Sequence, residues 1–237
     1  MNRFLGGSRL WVITLLMALG LGLPAAAVAG GYSVSVAGGV SLTHSSPNSG
    51  FSNSIGTGAV FAISGAYSLL DLVQLEVTGA YHSPYSFRTS HDQPATDPAI
   101  RGFTSNSRNS SFSLIPAVRL SVPVMLIANV YGLAGVGVSF NQSTGGSFSY
   151  QSADGAVSGT YRDASTTQLA YSFGAGVSAS LLDSLLLDVG YRYTDLGSFK
   201  SVVLTSSSTA ALPSFIAAAD LRHPRTHDLL LTVGYRF

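Results

Sequence analysis

The residues of this chain that could do chemistry are a few histidines with serine or aspartate nearby in sequence. A histidine can act as a general base and a serine as a nucleophile, provided that the two side chains come within hydrogen-bond reach. The chain has no cysteine, which excludes a thiolate metal site and a cysteine nucleophile. The candidates are His44 with Ser45, His82 with Ser83, and the group Asp220, His223 and His227.

The spacing of these candidates does not assemble a catalytic site. On a strand that rises about 3.3 Å per residue, His82 and Glu76 are about 20 Å apart. The other candidates fall in polar segments, where a histidine is usually solvated. Asp154 and Asp163 could meet a divalent cation, but their spacing matches no known metal loop. The sequence therefore predicts no catalytic residues, no cofactor and no metal, in a protein that is not an enzyme.

The first residues have the composition of an export signal. Arg3 and Arg9 give a basic start, and residues 10–23 form an apolar run of about 14 residues, the length of a signal h-region. Such a run is too short for a comfortable transmembrane helix, and Pro24 ends it.

Small residues follow this run at the two positions that a signal peptidase recognises. Ala27 and Ala29 predict a cleaved signal peptide over residues 1–29, with cleavage after Ala27 as the second choice. The mature chain then begins at Gly30, and residues 30–237 form one domain. A retained membrane anchor is the alternative.

The composition narrows the class of protein further. Charged residues make up 10% of the chain, against about 25% in ordinary soluble domains. The net charge of +1 gives no reason to expect nucleic acid as a partner. No run after the signal is long and apolar enough to be a transmembrane helix. An exported chain of this kind is either a secreted β-protein or a membrane barrel.

The last stretch of the chain, residues 226–237, alternates between two kinds of side chain. Its residues of one parity are small, polar or charged, and those of the other parity are large and apolar: Leu229, Leu231, Val233, Tyr235 and Phe237. Successive side chains on a strand point to opposite faces of the sheet. One face of this strand is therefore apolar, and a membrane interface is a stable place for its exposed aromatic rings.

Similar alternation predicts eight strands. In the fifth strand, the residues of both faces are apolar or small, so the sequence does not show which face points outward. The connections alternate between long and short, with long polar segments at 44–56, 83–109, 141–165 and 198–225. The last of them includes an apolar part, 212–221, that predicts a brief helix. The predicted strands lie around residues 32–42, 61–67, 73–82, 112–120, 128–140, 168–178, 185–194 and 226–237.

This layout is typical of an all-β, eight-stranded antiparallel up-and-down transmembrane barrel. Such barrels have short periplasmic turns, long extracellular loops and an apolar outer face. A β-sandwich directs its apolar face inward, and its connections need not alternate in length. Aromatic residues near the strand ends predict the two interfacial girdles. These are Tyr32, Tyr67, Tyr81, Tyr131, Tyr171, Tyr191, Tyr193, Tyr235 and Phe237.

Three stretches resemble one known family. Residues 187–197, 134–139 and 233–237 are similar to strands of the opacity-type, OmpA-like eight-stranded outer-membrane proteins of Gram-negative bacteria. The resemblance implies a bacterial outer-membrane location and a surface-antigen or adhesion-like role. It also implies insertion by the barrel assembly machinery, with Tyr235 and Phe237 as the assembly signal.

The inward parity of the predicted strands carries three acidic and three basic residues. An eight-stranded barrel is just wide enough inside for side chains, and unpaired buried charges cost several kcal/mol each. We therefore predict that these residues pair and plug the interior, with a narrow gated pore as the alternative. The predicted cluster consists of Glu76, Arg119, Asp188, Arg192, Asp228 and Arg236.

The predicted loops carry most of the remaining basic residues. Arginine binds phosphate through two parallel hydrogen bonds, so contact with lipopolysaccharide is one interpretation and a solubilising surface is the other. These residues are Arg88, Arg101, Arg108, Arg162, Lys200, Arg222 and Arg225.

The sequence thus predicts a surface protein of the outer membrane with a structural or interaction role. Its expected partners are outer-membrane lipids, lipopolysaccharide, the assembly machinery and a host or surface ligand, but not nucleic acid. A small porin is the alternative function, and a lipid A-modifying barrel enzyme is a third.

Overall fold

The computed structural model describes residues 31–44, 52–91, 101–153, 155–181, 184–200, 202–206 and 224–237. The predicted signal peptide with Ala27, Ala29 and Gly30 lies outside these residues, as do the helix predicted at 212–221, Ser45, Asp154, Asp220, Arg222 and His223. The strands are β1 Tyr32–His44, β2 Ser52–Ile55, β3 Gly58–Leu70, β4 Val73–His91, β5 Arg101–Met125, β6 Ala128–Ser152, β7 Gly155–Arg162, β8 Ala164–Ser180, β9 Leu185–Asp195, β10 Val202–Ser206 and β11 Arg225–Arg236.

Eight of these strands close into an antiparallel barrel. Around the ring, β1, β3, β4, β5, β6, β8, β9 and β11 each pair with the next. The first and last strands complete the ring, with Val36 opposite Val233. Within the ring, β6 pairs directly with β8, because the intervening strand β7 lies in an extension beyond the barrel. The predicted up-and-down barrel with eight membrane strands is confirmed.

The barrel wall shows the period of two that the sequence predicts. Along β11, Leu229, Leu231 and Val233 are 60%, 55% and 45% exposed, whereas Asp228 and Leu230 are 1% and 8% exposed. A continuous apolar outer surface of this kind is stable only against lipid. No helix within the described residues is long and apolar enough to cross a membrane.

The two ends of the barrel differ, which fixes its orientation. Short turns at residues 71–72 and 126–127 close one end, and β8 ends and β9 begins at the same end. Short turns are periplasmic in outer-membrane barrels. The opposite, extracellular end is much longer, because β5 and β6 have 25 residues each. About 9–11 residues are enough to span the bilayer, so more than half of each strand lies outside it.

The predictions of long loops at 83–109 and 141–165 are wrong over most of their length. β4 continues to His91, β5 starts at Arg101, and β6 and β8 are separated by β7. These extensions, with β2 and β10, form an extracellular sheet. Alternation continues there but with reversed polarity, since the outer face meets water and the inner face is covered. The buried inner residues include polar ones such as Thr89, Ser105 and Asn109, and a set of aromatic ones: Tyr85, Phe87, Phe103, Phe148, Tyr150 and Tyr161.

Candidate functional site

Charged side chains from three strands meet inside the barrel. β4 provides Glu76, β5 provides Arg119, and β9 provides Asp188 and Arg192. Arg119 Nη2 donates to Asp188 Oδ2 at 2.9 Å, and its Nη1 lies 3.8 Å from Glu76 Oε2. Arg192 Nη2 donates to Glu76 Oε1 at 3.0 Å. We call these four residues the lumen charge network. Two positive and two negative side chains balance within it, so their burial is tolerable.

Tyr131 extends this network from β6. Its hydroxyl donates to Asp188 Oδ1 at 2.8 Å, and the Arg119 guanidinium lies 3.5 Å from its ring centroid. The ring fits because Gly176 and Gly190 face it without side chains. A Cβ atom on Gly176 would lie 2.6 Å from the Tyr131 hydroxyl, and one on Gly190 would lie closer still.

The prediction that Tyr131 belongs to an interfacial girdle is therefore wrong. Tyr131 is 9% exposed and faces the lumen. The sequence did not show which face of its strand points outward, because large and small apolar residues occur on both faces. The inward glycines on β8 and β9 are the signal that could have located the ring, since they leave space that a large side chain must fill.

A second polar pair lies farther toward the extracellular end. His82 on β4 and Asp228 on β11 are each 1% exposed, and His82 Nε2 lies 3.0 Å from Asp228 Oδ2. Thr226 Oγ1 donates to the same carboxylate oxygen at 3.4 Å. A cavity with room for about one water molecule lies beside this pair and Arg192. The sequence places His82 and Asp228 on inward faces, but gives no signal that they meet across the lumen.

The chain after β9 folds inward across the extracellular mouth of the barrel. Gly197 permits the turn with a φ of 71°, and its N–H donates to Asp195 Oδ1 at 2.9 Å. The Leu196 carbonyl accepts hydrogen bonds from Ser139 Oγ at 2.6 Å and Asn141 Nδ2 at 2.7 Å. Inward polar residues on β6 therefore hold this segment in place.

Phe199 completes the mouth segment, residues 196–199. Its side chain is 1% exposed and packs with Tyr85 and Phe87, with 6.4 Å between the Phe199 and Tyr85 ring centroids. Tyr85 lies above the membrane, and burial raises the pKa of its hydroxyl because a buried phenolate would lose its hydration. The lumen is thus filled at three levels: the charge network, the His82–Asp228 pair and the mouth segment.

The remaining predicted site residues lie elsewhere. Arg236 is exposed at the periplasmic end of β11, and Thr232 is the residue opposite Asp188. The prediction that Arg236 belongs to the interior charge cluster is therefore wrong, because an inward-facing position at a strand end does not bury a side chain. Tyr235 and Phe237 are 52% and 75% exposed with ring centroids 5.0 Å apart, and their role in assembly stays a prediction.

The described candidates for catalysis are not brought together. Ser83 Oγ accepts a hydrogen bond from the Ala59 N–H at 2.8 Å, whereas the side chain of His82 is in the lumen. The His227 ring lies on the outer wall, where Nδ1 is 2.6 Å from the Tyr191 hydroxyl. Within the described ranges, no three His, Asp or Glu side chains are placed to hold a metal ion.

With this geometry established, the family of the chain follows from comparison. The model of the outer membrane protein beta-barrel domain matches residues 13–237. The chain belongs to this family and is an outer-membrane β-barrel protein of bacteria.

Several solved structures are similar to this chain. Neisserial surface protein A is 17% identical, with a TM-score of 0.49 and coverage of 89% of this chain and 100% of that one. Ail, the attachment invasion locus protein of Yersinia pestis, is 14% identical, with a TM-score of 0.43 and the same coverage. A major outer membrane protein of Thermus thermophilus is 18% identical, with a TM-score of 0.46 and again the same coverage. Comparison with curated proteins gives no match.

Proposed function

We propose that this protein has a structural and interaction role at the bacterial surface, in the manner of a surface antigen or adhesin. In this proposal the barrel is a closed anchor and the extracellular sheet is the interaction surface. The lumen charge network carries the proposal, because Arg119 contacts carboxylates from two other strands and crosses the space that a solute would need.

The mouth segment supports the same function. Leu196 and Phe199 are 0% and 1% exposed, so they fill the extracellular opening instead of lining a channel. The Ser198 carbonyl accepts a hydrogen bond from Thr166 Oγ1 at 3.0 Å, which ties the segment to β8. A small porin would need a continuous polar path past these residues.

The extracellular sheet supports the interaction role. Its inner face buries aromatic rings, with Phe148 and Tyr161 at a centroid distance of 5.3 Å. Such packing makes the sheet a rigid platform, and rigid platforms present binding residues at a low entropic cost. Its outer face is polar and exposed, as at Ser147 and Ser149 on β6.

Single cysteines introduced at the two ends should be labelled from opposite sides of the outer membrane. The natural chain has no cysteine, so each label reports one position. We expect Ser149→Cys to react on intact cells with a maleimide too large for porins. We expect Leu126→Cys, in a fully exposed periplasmic turn, to react only after permeabilisation. Labelling of Leu126→Cys but not Ser149→Cys on intact cells would overturn the proposed surface display.

A further inference from the structure

The pair of His82 and Asp228 leaves one carboxylate oxygen unused. Asp228 Oδ2 lies 3.0 Å from His82 Nε2, but Asp228 Oδ1 is buried and has no hydrogen-bond partner among the described residues. An ionised carboxylate is acceptor-only, so Oδ1 needs a donor or a cation beside it. A buried polar atom without a partner is costly, and a bound water or ion is a common explanation of such an atom.

Two hydroxyl groups on β1 face the same part of the lumen. Ser41 is directly opposite Asp228, and Thr43 is opposite Thr226, which donates to Asp228 Oδ2 at 3.4 Å. Ser41 is 2% exposed, and within the described part of the chain neither its Oγ nor Thr43 Oγ1 has a hydrogen-bond partner. Residues directly opposite on antiparallel strands have Cβ atoms about 4.5–5.5 Å apart. Ser41, Thr43 and Asp228 are therefore neighbours on one inner face, and each has a buried oxygen without a partner.

The lumen has one excess negative charge when His82 is neutral. The lumen charge network balances its own charges, so the excess belongs to Asp228. The geometry favours neutral His82, because no described residue is a hydrogen-bond partner of its Nδ1. A protonated imidazole would place an N–H there without an acceptor, and an unsatisfied charged group costs more than an unsatisfied neutral one.

We propose that Asp228 Oδ1, Ser41 Oγ and Thr43 Oγ1 bind a monovalent hard cation such as Na⁺ inside the barrel. We call these three oxygens the lumen cation site. Carboxylate and hydroxyl oxygens are hard ligands, which suit such an ion better than a soft transition metal. One positive charge neutralises Asp228, whereas a divalent ion would leave an unpaired positive charge buried in the lumen. The cavity beside Asp228 has room for about one water molecule, a further oxygen ligand.

The ion links this site to the stability of the barrel. The unfolded chain does not hold the three oxygens together, so the cation binds only the folded state and stabilises it by mass action. Choline carries the same charge but is too bulky for a buried site of this size. A comparison of the two cations at equal ionic strength therefore separates binding at the site from general screening by salt.

The test measures urea unfolding of the natural protein in phosphatidylcholine vesicles, in either NaCl or choline chloride at about 150 mM. The protein is refolded in each salt, so that the ion can enter before the lumen closes. We expect the equilibrium constant of unfolding to be about tenfold smaller in Na⁺ than in choline, as for a site in contact with about ten times its Kd of free ion.

Variants of the ligands locate this effect. Asp228→Asn keeps an acceptor for His82 but removes the charge, and Ser41→Ala/Thr43→Val removes both hydroxyl ligands. Each should unfold with the same equilibrium constant in the two salts, within about twofold. The matched control is Ser35→Ala, on the same face of β1 but about 20 Å nearer the periplasmic end, and it should keep the full difference. The unfolding transition in choline verifies that each variant folds.

Two results would overturn the lumen cation site. Equal unfolding of the natural protein in Na⁺ and in choline would mean that a proton on His82 or Asp228 balances the charge instead of a metal ion. A tenfold difference that persists in both ligand variants would place the effect of Na⁺ elsewhere on the protein. Neither result bears on the proposed surface role, which labelling of intact cells tests separately.

Discussion

The change Arg119→Ala is expected to destabilise the folded barrel by about 3–5 kcal/mol, the usual cost of breaking a buried charge pair from one side. Arg119 contacts Asp188 at 2.9 Å and Glu76 at 3.8 Å, and it packs over Tyr131. Its loss leaves the Asp188 carboxylate with the Tyr131 hydroxyl as its remaining side-chain donor among the described residues. Urea unfolding midpoints in phosphatidylcholine vesicles measure this effect.

The double variant Arg119→Ala/Asp188→Ala should lose less stability than the two single changes added together. Removing both partners leaves no unpaired charge, since Glu76 keeps Arg192 at 3.0 Å. Arg236→Ala is the control, because this exposed arginine lies away from the network and should change stability by less than about 0.5 kcal/mol. Additive losses for the two network residues would show that they are not coupled.

The second large effect is expected at His82. Changing His82 to alanine leaves the Asp228 carboxylate almost fully buried, with Thr226 as its remaining described side-chain donor. We expect a loss of about 3–5 kcal/mol in the free energy of unfolding. His82→Gln should cost less, because the amide nitrogen can still donate a hydrogen bond into this space.

The control for this prediction is His44→Ala, at an exposed position near the end of β1. It should leave the unfolding midpoint almost unchanged. The same unfolding assay applies to all three variants. A His82→Ala protein as stable as the natural one would show that the pair with Asp228 contributes little.

Within the membrane, the sequence was sufficient to predict the fold. Lipid requires apolar side chains on the outer face, and closure of the barrel leaves polar ones inside. The period of two is therefore strong along strands such as β9, where Leu187 and Val189 alternate with Asp188 and Gly190. Short turns between these strands fix which neighbours pair.

Outside the membrane, the same logic failed because the solvent changes. Above the bilayer the outer face of β4 meets water, so polar residues such as Ser86 and Arg88 mark an exposed strand face instead of a loop. The inward residues Tyr85 and Phe87 keep the period of two with the opposite polarity. A search that accepted apolar residues on either the outer or the inner face would have continued the strand through Pro84, where the register shifts.

The interior could be predicted only in part. Parity assigns Glu76, Arg119 and Asp188 to the inner face, but it does not define which side chains touch across the lumen. The contact between His82 and Asp228 joins residues 146 positions apart in sequence and depends on the curvature of the whole barrel. The mouth segment has no periodic pattern, and only its tertiary contacts reveal that it turns inward.

The most direct test of the closed-anchor account is the conductance of the purified, refolded protein in planar bilayers. The lumen charge network, the His82–Asp228 pair and the mouth segment together predict no steady single-channel current from the natural protein. The double variant Arg119→Ala/Asp188→Ala, which removes the main crossing of the lumen, should leak more often than Arg236→Ala. Stable, reproducible current steps from the natural protein would contradict the account and support a small porin.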